Sequence, residues 1–287
     1  MKFTSAQSSR LGNRKINQDR CAIFTREQYT LLVLADGMGG HKGGEKAAQA
    51  TIDTCEIIFN NICLPIRDPR TFIEQLAKLA HKAIQEDNKN EVDIPRTTFV
   101  CCLIKGNSAI WAHTGDSRLY LFREGDIHTR TRDHSYIQDL LQLQTMTEKE
   151  ASTHPMRNYV TACLGGPGDK LHVSISRSTE LKNMDIILLC SDGLWSAVNE
   201  KQMISTLHAD SVPLEQSLDQ LTNLADNNSY PKSDNTTAVA IYIEDCNPST
   251  GVIVETLRPT RENAGSPLEK AIDEIETAYD LYKSEIK

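Results

Sequence analysis

The 287-residue chain carries 31 Lys and Arg against 39 Asp and Glu, a formal net charge of −8, with 39% hydrophobic residues. That length suits one large domain, or one domain with an appendage, able to bury a core without disulfide or metal staples. The acidic balance counts against a nucleic-acid groove and leaves a buried anionic-substrate site open. The eight cysteines form no CxxC pair, so they read as reduced core thiols and not as zinc ligands or disulfides. The first residues lack a signal-peptide apolar run, and no segment approaches the ~20 apolar residues of a membrane span. A soluble, cytoplasmic protein without membrane contact is expected.

In chain order, hydrophobic periodicity predicts strands over Cys21–Phe24 and Leu31–Ala35, then helices over Gly44–Cys63 and Arg70–Asn88. From Thr97 to Thr131, short β-rich pieces broken by "KGN", "GDS" and "REGD" predict an antiparallel meander. Further helices are expected over His134–Leu143, Glu200–Leu207 and Leu214–Asn227, and strands over Leu171–Ser176, Asp185–Cys190 and Thr236–Ile243. Strands that follow strands, and helices that come in pairs, predict an α+β class: packed antiparallel sheets flanked by helix pairs. Residues 246–265, with prolines and glycines, read as a connector from a domain over 1–245 to an amphipathic helix over 266–287. In that helix Ser266, Pro267 and Glu269 fit a capping box. Leu268, Ile272, Ile275, Tyr279, Tyr282 and Ile286 share one stripe, which either packs back onto the domain or docks a partner.

Three apolar runs stop at an acid: "LLVLAD" at Asp36, "WAHTGD" at Asp116 and "IILLCSD" at Asp192; Asp234 comes just before a strand. Taken singly, an Asp there is ordinary turn chemistry. Together they describe carboxylates at strand ends, which repel one another unless a hard cation such as magnesium or manganese lies between them. Five glycines crowd the eight residues after Asp36, yet the spacing fits neither phosphate cradle. Glu45 follows Gly44 where a P-loop needs Lys, and Lys42 occupies the third position of a dinucleotide fingerprint. Glycine after a bridging acid would instead let a backbone carbonyl reach a metal. Arg14, close before Asp19, offers a planar pair of donors suited to a phosphoryl group.

In order, "RKINQD", "ADGMGGHKGGEKAA", "TTFVCCLI", "AHTGDSRLYLFREG", "TRDHS", "HPMRNYVTACLGG", "LLCSDGLW" and "DNTTAVAI" resemble the metal-dependent Ser/Thr phosphatases, protein phosphatase type 2C, in their bacterial form. The resemblance runs from Phe3 to Ile243. It implies two antiparallel sheets sandwiched between helix pairs, with a helical flap over about 134–158. It also implies that Asp36 bridges two metals with the Gly37 carbonyl on the first, and that Asp192 and Asp234 hold the second. Asp116 with Asp192 would form a weaker third site, Asp19 would support the metals, and Arg14 would bind the substrate phosphate. Met38 stands where eukaryotic members have a proton-donating His, and Met has no proton to give. Gln18 replaces a frequent Glu, and Ala162 a frequent Arg. The expected activity is hydrolysis of phosphoserine or phosphothreonine in proteins by direct attack of a metal-bridging water, opposing a Ser/Thr kinase. A catalytically silent phosphoprotein-binding scaffold is the alternative.

Overall fold

The computed structural model describes residues 1–38, 43–88, 94–157, 159–166, 171–209 and 212–246, together with Thr277. Strands β1 (Lys2–Arg10), β2 (Asp19–Arg26) and β3 (Tyr29–Met38) lead into helices α1 (Gly44–Asn61) and α2 (Pro69–Asp87). Strands β4 (Arg96–Thr97), β5 (Phe99–Lys105), β6 (Ser108–Thr114), β7 (Arg118–Arg123) and β8 (Asp126–Arg130) come next. Short helices α3 (Tyr136–Gln142) and α4 (Glu148–Thr153) precede β9 (Ser174–Ile175), β10 (Thr179–Glu180) and β11 (Ile186–Cys190). Helices α5 (Asp192–Trp195), α6 (Glu200–Leu207) and α7 (Leu214–Ser229) then lead to β12 (Thr236–Asp245).

Two antiparallel sheets result. One has the order β1-β12-β11-β7-β8; the other has β10-β6-β5-β3-β2, with β4 on β3 and β9 on β6. The period-2 alternation of the strands fills three apolar layers. In β5, Phe99, Cys101 and Leu103 join the cluster with α1 and α2, whereas Val100, Cys102 and Ile104 face the other sheet. In β11, Ile187 and Leu189 enter the space between sheets while Ile186, Leu188 and Cys190 pack with α6 and α7 residues such as Met203 and Leu218. A strand apolar on both faces must be covered on both. The sandwich of helices, sheet, sheet and helices follows, as the α+β expectation required.

The helix ends follow local chemistry. Asp68 caps α2 by accepting from the Arg70 and Thr71 amides, with Pro69 in the first turn, and Asn199 and Gln202 form a reciprocal capping box on α6. The predicted helix from His134 begins later, at Tyr136, because Ser135 is its N-cap.

One strand is not foreseen in the sequence, and two expectations need correction. Strand β1 carries no apolar alternation in "KFTSAQSSR", yet it pairs along its whole length with β12, and its Ser8 hydroxyl bonds Asp219 and Thr222 of α7. The expected meander is two hairpins in different sheets: β5–β6 in one, β7–β8 in the other. The chain crosses at Gly115, whose φ of +105° admits the turn. Of Leu171–Ser176 only Ser174–Ile175 is strand, a short edge piece on β6. All eight cysteines are free thiols. Among the described residues no helix is long and apolar enough to cross a membrane. The connector and the helix expected over 266–287 lie outside the described residues, apart from Cys246 and Thr277.

Candidate metal centre

The sheets bring the predicted acids to one end. Asp19 opens β2 opposite Asp36 of β3. Strand β3 does not stop at Asp36 but continues to Met38, because β4 pairs with Gly37 and Met38. The Asp36 amide donates to Thr98 Oγ1 (2.9 Å), and its carbonyl accepts from the Thr98 amide (2.8 Å) and Thr97 Oγ1 (2.8 Å), which fixes the backbone there. Asp192 begins α5 just beyond β11, Asp234 lies two residues before the start of β12, and Asp116 occupies the crossover between sheets. Ser191 ties the two sheets together: its hydroxyl donates to Asp19 Oδ2 (2.7 Å) while accepting from the Thr237 amide (3.0 Å).

Burial and mutual repulsion raise the pKa values of these carboxyls. Asp36 is held well above the ordinary carboxylate range, first by desolvation and then by Asp19, Asp192, Asp116 and Asp234. Asp192 is raised similarly, by desolvation and then by Asp116, Asp234 and Asp19. Asp19, only 3% exposed, is raised by burial and partly restored by its Ser191 and Thr237 hydrogen bonds. Asp116 rises to about 6 through burial and Asp133, against the pull of Arg118. The Asp19 Oδ1 atom is buried with no hydrogen-bond partner. An orphaned carboxylate oxygen among acids that penalise one another fits a hard divalent cation, whose oxygen ligands are of this kind. Among the described residues no three His, Cys, Asp or Glu side chains close onto one point as a finished cage. The fit therefore rests on the orphan oxygen and the donor chemistry, not on a coordination polyhedron.

Two glycines hold the backbone of the site close. A Cβ on Gly37 would lie 2.3 Å from the Gly44 carbonyl oxygen, and one on Gly193 would lie 2.1 Å from that of Asn235. Sequence reasoning missed the polar residues beside the acids. Asn235 is foremost: its Nδ2 donates to the Leu11 carbonyl (2.8 Å) and its Oδ1 accepts from the Gln18 amide (2.9 Å), pinning both ends of the loop that carries Arg14. Its signal was adjacency to Asp234 in "SDNTT". Arg14, whose side chain is 57% exposed, donates through Nη2 to Asp234 Oδ2 at 2.5 Å. Gln18 turns away from the acids to Glu45 Oε2 (3.3 Å). His41 lies outside the described residues.

The segment expected to form a flap is rooted beside Asp116. The His134 amide donates to the Gly115 carbonyl (2.9 Å), and the Gly115 amide donates back to His134 Nδ1 (3.4 Å). The His134 ring lies between His113 and His172, at centroid distances of 4.6 and 4.5 Å. Burial and these two neighbours push its pKa down to about 3. Arg118 grips Asp133 with two 2.8 Å bonds and stacks on Trp195, whose indole N–H donates to the Asp116 carbonyl (2.9 Å).

Two packed antiparallel sheets thus gather acids from both at one end, and known proteins identify the class. The family profile for protein phosphatase 2C matches residues 6–233, so the chain belongs to that family and is a protein phosphatase. It is 28% identical over 233 residues to the serine/threonine phosphatase stp of Listeria monocytogenes, covering 79% of this chain and 90% of that protein. The serine/threonine phosphatase of S. agalactiae superposes with a TM-score of 0.77 at 26% identity, covering 85% of this chain and all of that one (100%). The catalytic domain of the serine threonine protein phosphatase PstP, solved with 2 manganese ions, gives 0.70 at 29% identity, with 85% and 99% covered.

Proposed function

We propose that the protein hydrolyses phosphoserine and phosphothreonine in phosphoproteins by in-line attack of water, using magnesium or manganese, two core ions and a weaker third. Asp36 with the Gly37 carbonyl, Asp192 and Asp234 would hold the core ions, Asp19 would support them, and Asp116 with Asp192 would hold the third. When bound, such ions neutralise phosphoryl oxygens and acidify a coordinated water. The protein's own part is geometry and charge. Thr97, Thr98 and Ser191 hold Asp36 and Asp19 still, Asn235 fixes the Arg14 loop, and Arg14 orients the phosphoryl group through paired charge-assisted donors. Arg14 faces the same acids, since Asp234, Asp192 and Asp36 all favour its charged form. Met38, half-buried at the end of β3, can supply no proton to the leaving alkoxide, which leaves that role to solvent.

The carrying observation is the buried carboxylate cluster contributed by both sheets, with its orphaned Asp19 oxygen. The phosphoproteins are those a Ser/Thr kinase produces, and eight free thiols suit a reducing cytoplasm. Residues 134–158 act as the flap over this end, and residues 266–287 hold either a protein partner or the chain's own domain. The test is release of phosphate from a phosphothreonine peptide with manganese, with chelator, and by Asp36→Ala. The expected result is activity with manganese alone, with the substituted chain inactive but folded by circular dichroism. Near-wild-type turnover by Asp36→Ala at saturating manganese would sink the proposal. Arg14→Ala should lower kcat/KM at least about tenfold, the worth of ~1.5–3 kcal/mol for a lost charge-assisted bond.

A further inference from the structure

Strand β5 runs from Phe99, beside the acids, to Lys105; at about 3.3 Å per residue its ends lie roughly 20 Å apart. At the Lys105 end a cavity of about 450 Å³ opens between the first turn of α2 and the ends of β5 and β6. Its floor is Leu103 and Ile110, and its rim carries three cations, Arg70, Lys105 and Arg177. Asp68 is the one carboxylate lining it, and that group is committed to the α2 cap, accepting from Arg70 N, Thr71 N and Thr71 Oγ1. Arg70 reaches only the Ser176 carbonyl (3.3 Å), and Lys105 lies 5.5 Å above the Tyr29 ring. Among the described residues none of the three cations pairs with a carboxylate. In a chain of net charge −8, three such cations over an apolar floor form a site for an acidic, amphipathic ligand.

The chain supplies one next to it. Cys246, where the described domain ends, donates through its amide to Asn183 Oδ1 (2.8 Å) and through its thiol to the Leu181 carbonyl (3.2 Å). The Leu181 amide in turn donates to the Asn107 carbonyl (2.7 Å). Asn107 adjoins Ser108 on the cavity wall, where the Ser108 and Ser178 hydroxyls are 2.6 Å apart. Cys246 thus lies at the β5–β6 hairpin end of the sheet, linked to the cavity wall through Leu181 and Asn107, although it packs on the inter-sheet face and the cavity floor on the helix face. Residues 247–265 number 19, and a Gly/Ser-type linker of that length would reach on the order of 25 Å, with effective concentrations in the millimolar range. Beyond them, residues 266–287 combine the apolar stripe with Glu269, Asp273, Glu274, Glu276, Asp280 and Glu285, against Lys270, Lys283 and Lys287.

We propose that residues 266–287 dock in cis on this cavity, stripe over Leu103 and Ile110, carboxylates toward Arg70, Lys105 and Arg177. This deepens the second role named above for that segment and does not depend on the chemistry at the acids. The docked segment sits on the opposite end of the sheet, so it leaves the catalytic mouth open.

Carbodiimide cross-linking of the full chain at low concentration tests it. The expected product is a monomer in which Lys105 is joined to a carboxylate within 269–285. Arg70→Glu with Arg177→Glu should cut that yield at least about fivefold, since each reversal turns a modest attraction into repulsion. Adding Glu274→Lys and Glu276→Lys to the same chain should restore it. Hydrolysis of a small aryl phosphate, unchanged in every variant, reports that the domain is folded. Absence of the Lys105 link in the wild-type chain would overturn the proposal whatever the variants do. So would its occurrence only in covalent dimers, which would assign the site to a second copy, or an unchanged yield after charge reversal.

Discussion

Replacing Asp116 by Asn tests whether the acids are strained against one another. The folded chain holds this carboxyl at about 6, against 3.8 for the unperturbed group, and Asp116 is 7% exposed. At ~1.4 kcal/mol for each tenfold change in proton affinity, ionising it in the folded, metal-free protein costs about 3 kcal/mol. The sign follows from the raised value. The stabilising contribution is complete below the unfolded pKa and is lost as pH rises through about 6. Asparagine keeps the shape and removes the charge. In chelator, Asp116→Asn should therefore unfold in urea with about 1 kcal/mol more stability than wild type at pH 4.5 and up to about 3 kcal/mol more at pH 7.5. For a chain of this size that is roughly 6–12 °C in Tm. His134 acts in the opposite sense, its depressed pKa making acid destabilising, but it is common to both chains and cancels in their difference. Manganese should reverse the order at pH 7.5, because a ligand that binds only the folded state stabilises the chain that binds it better. A wild-type-minus-variant difference that does not change with pH, or an Asn chain weaker than wild type at pH 7.5 in chelator, would refute the strained-cluster account.

Two further outcomes are expected. Asn235→Ala leaves the Leu11 carbonyl and the Gln18 amide without their partner, so it should cost about 2–4 kcal/mol and lower kcat/KM through the loosened Arg14 loop; a Tm within 1 °C of wild type with unchanged kinetics contradicts that. Gly193→Ala must move either α5 or the Asn235 backbone, given the 2.1 Å contact its Cβ would make, so manganese affinity measured by calorimetry should fall while Gly125→Ala, whose Cβ meets nothing within 4 Å, leaves it unchanged.

Much of this protein was legible in its residues because the signals are local. The unbroken apolar runs in "FVCCLIK" and "IILLC" mark strands buried on both faces, which commits the chain to two sheets with helices outside. The acids after β11 and before β12, and the glycines that follow Asp36 and Asp192, are likewise stretches of a few residues. What sequence could not supply are the partners that distance along the chain conceals. Strand β1 is polar and has no pattern of its own; it exists because β12, more than two hundred residues later, offers a free edge. The meander divides between sheets because Gly115 turns the chain across the sandwich, and that crossing carries Asp116 to the other acids. Ser191 reaching Asp19, and Asn235 reaching Leu11 and Gln18, are contacts between sheets and loops that no spacing encodes. Sequence alone determined which residues bear the charge; only the tertiary structure decided that their charges must share one desolvated space, since repulsion acts through distance in the fold and not along the chain.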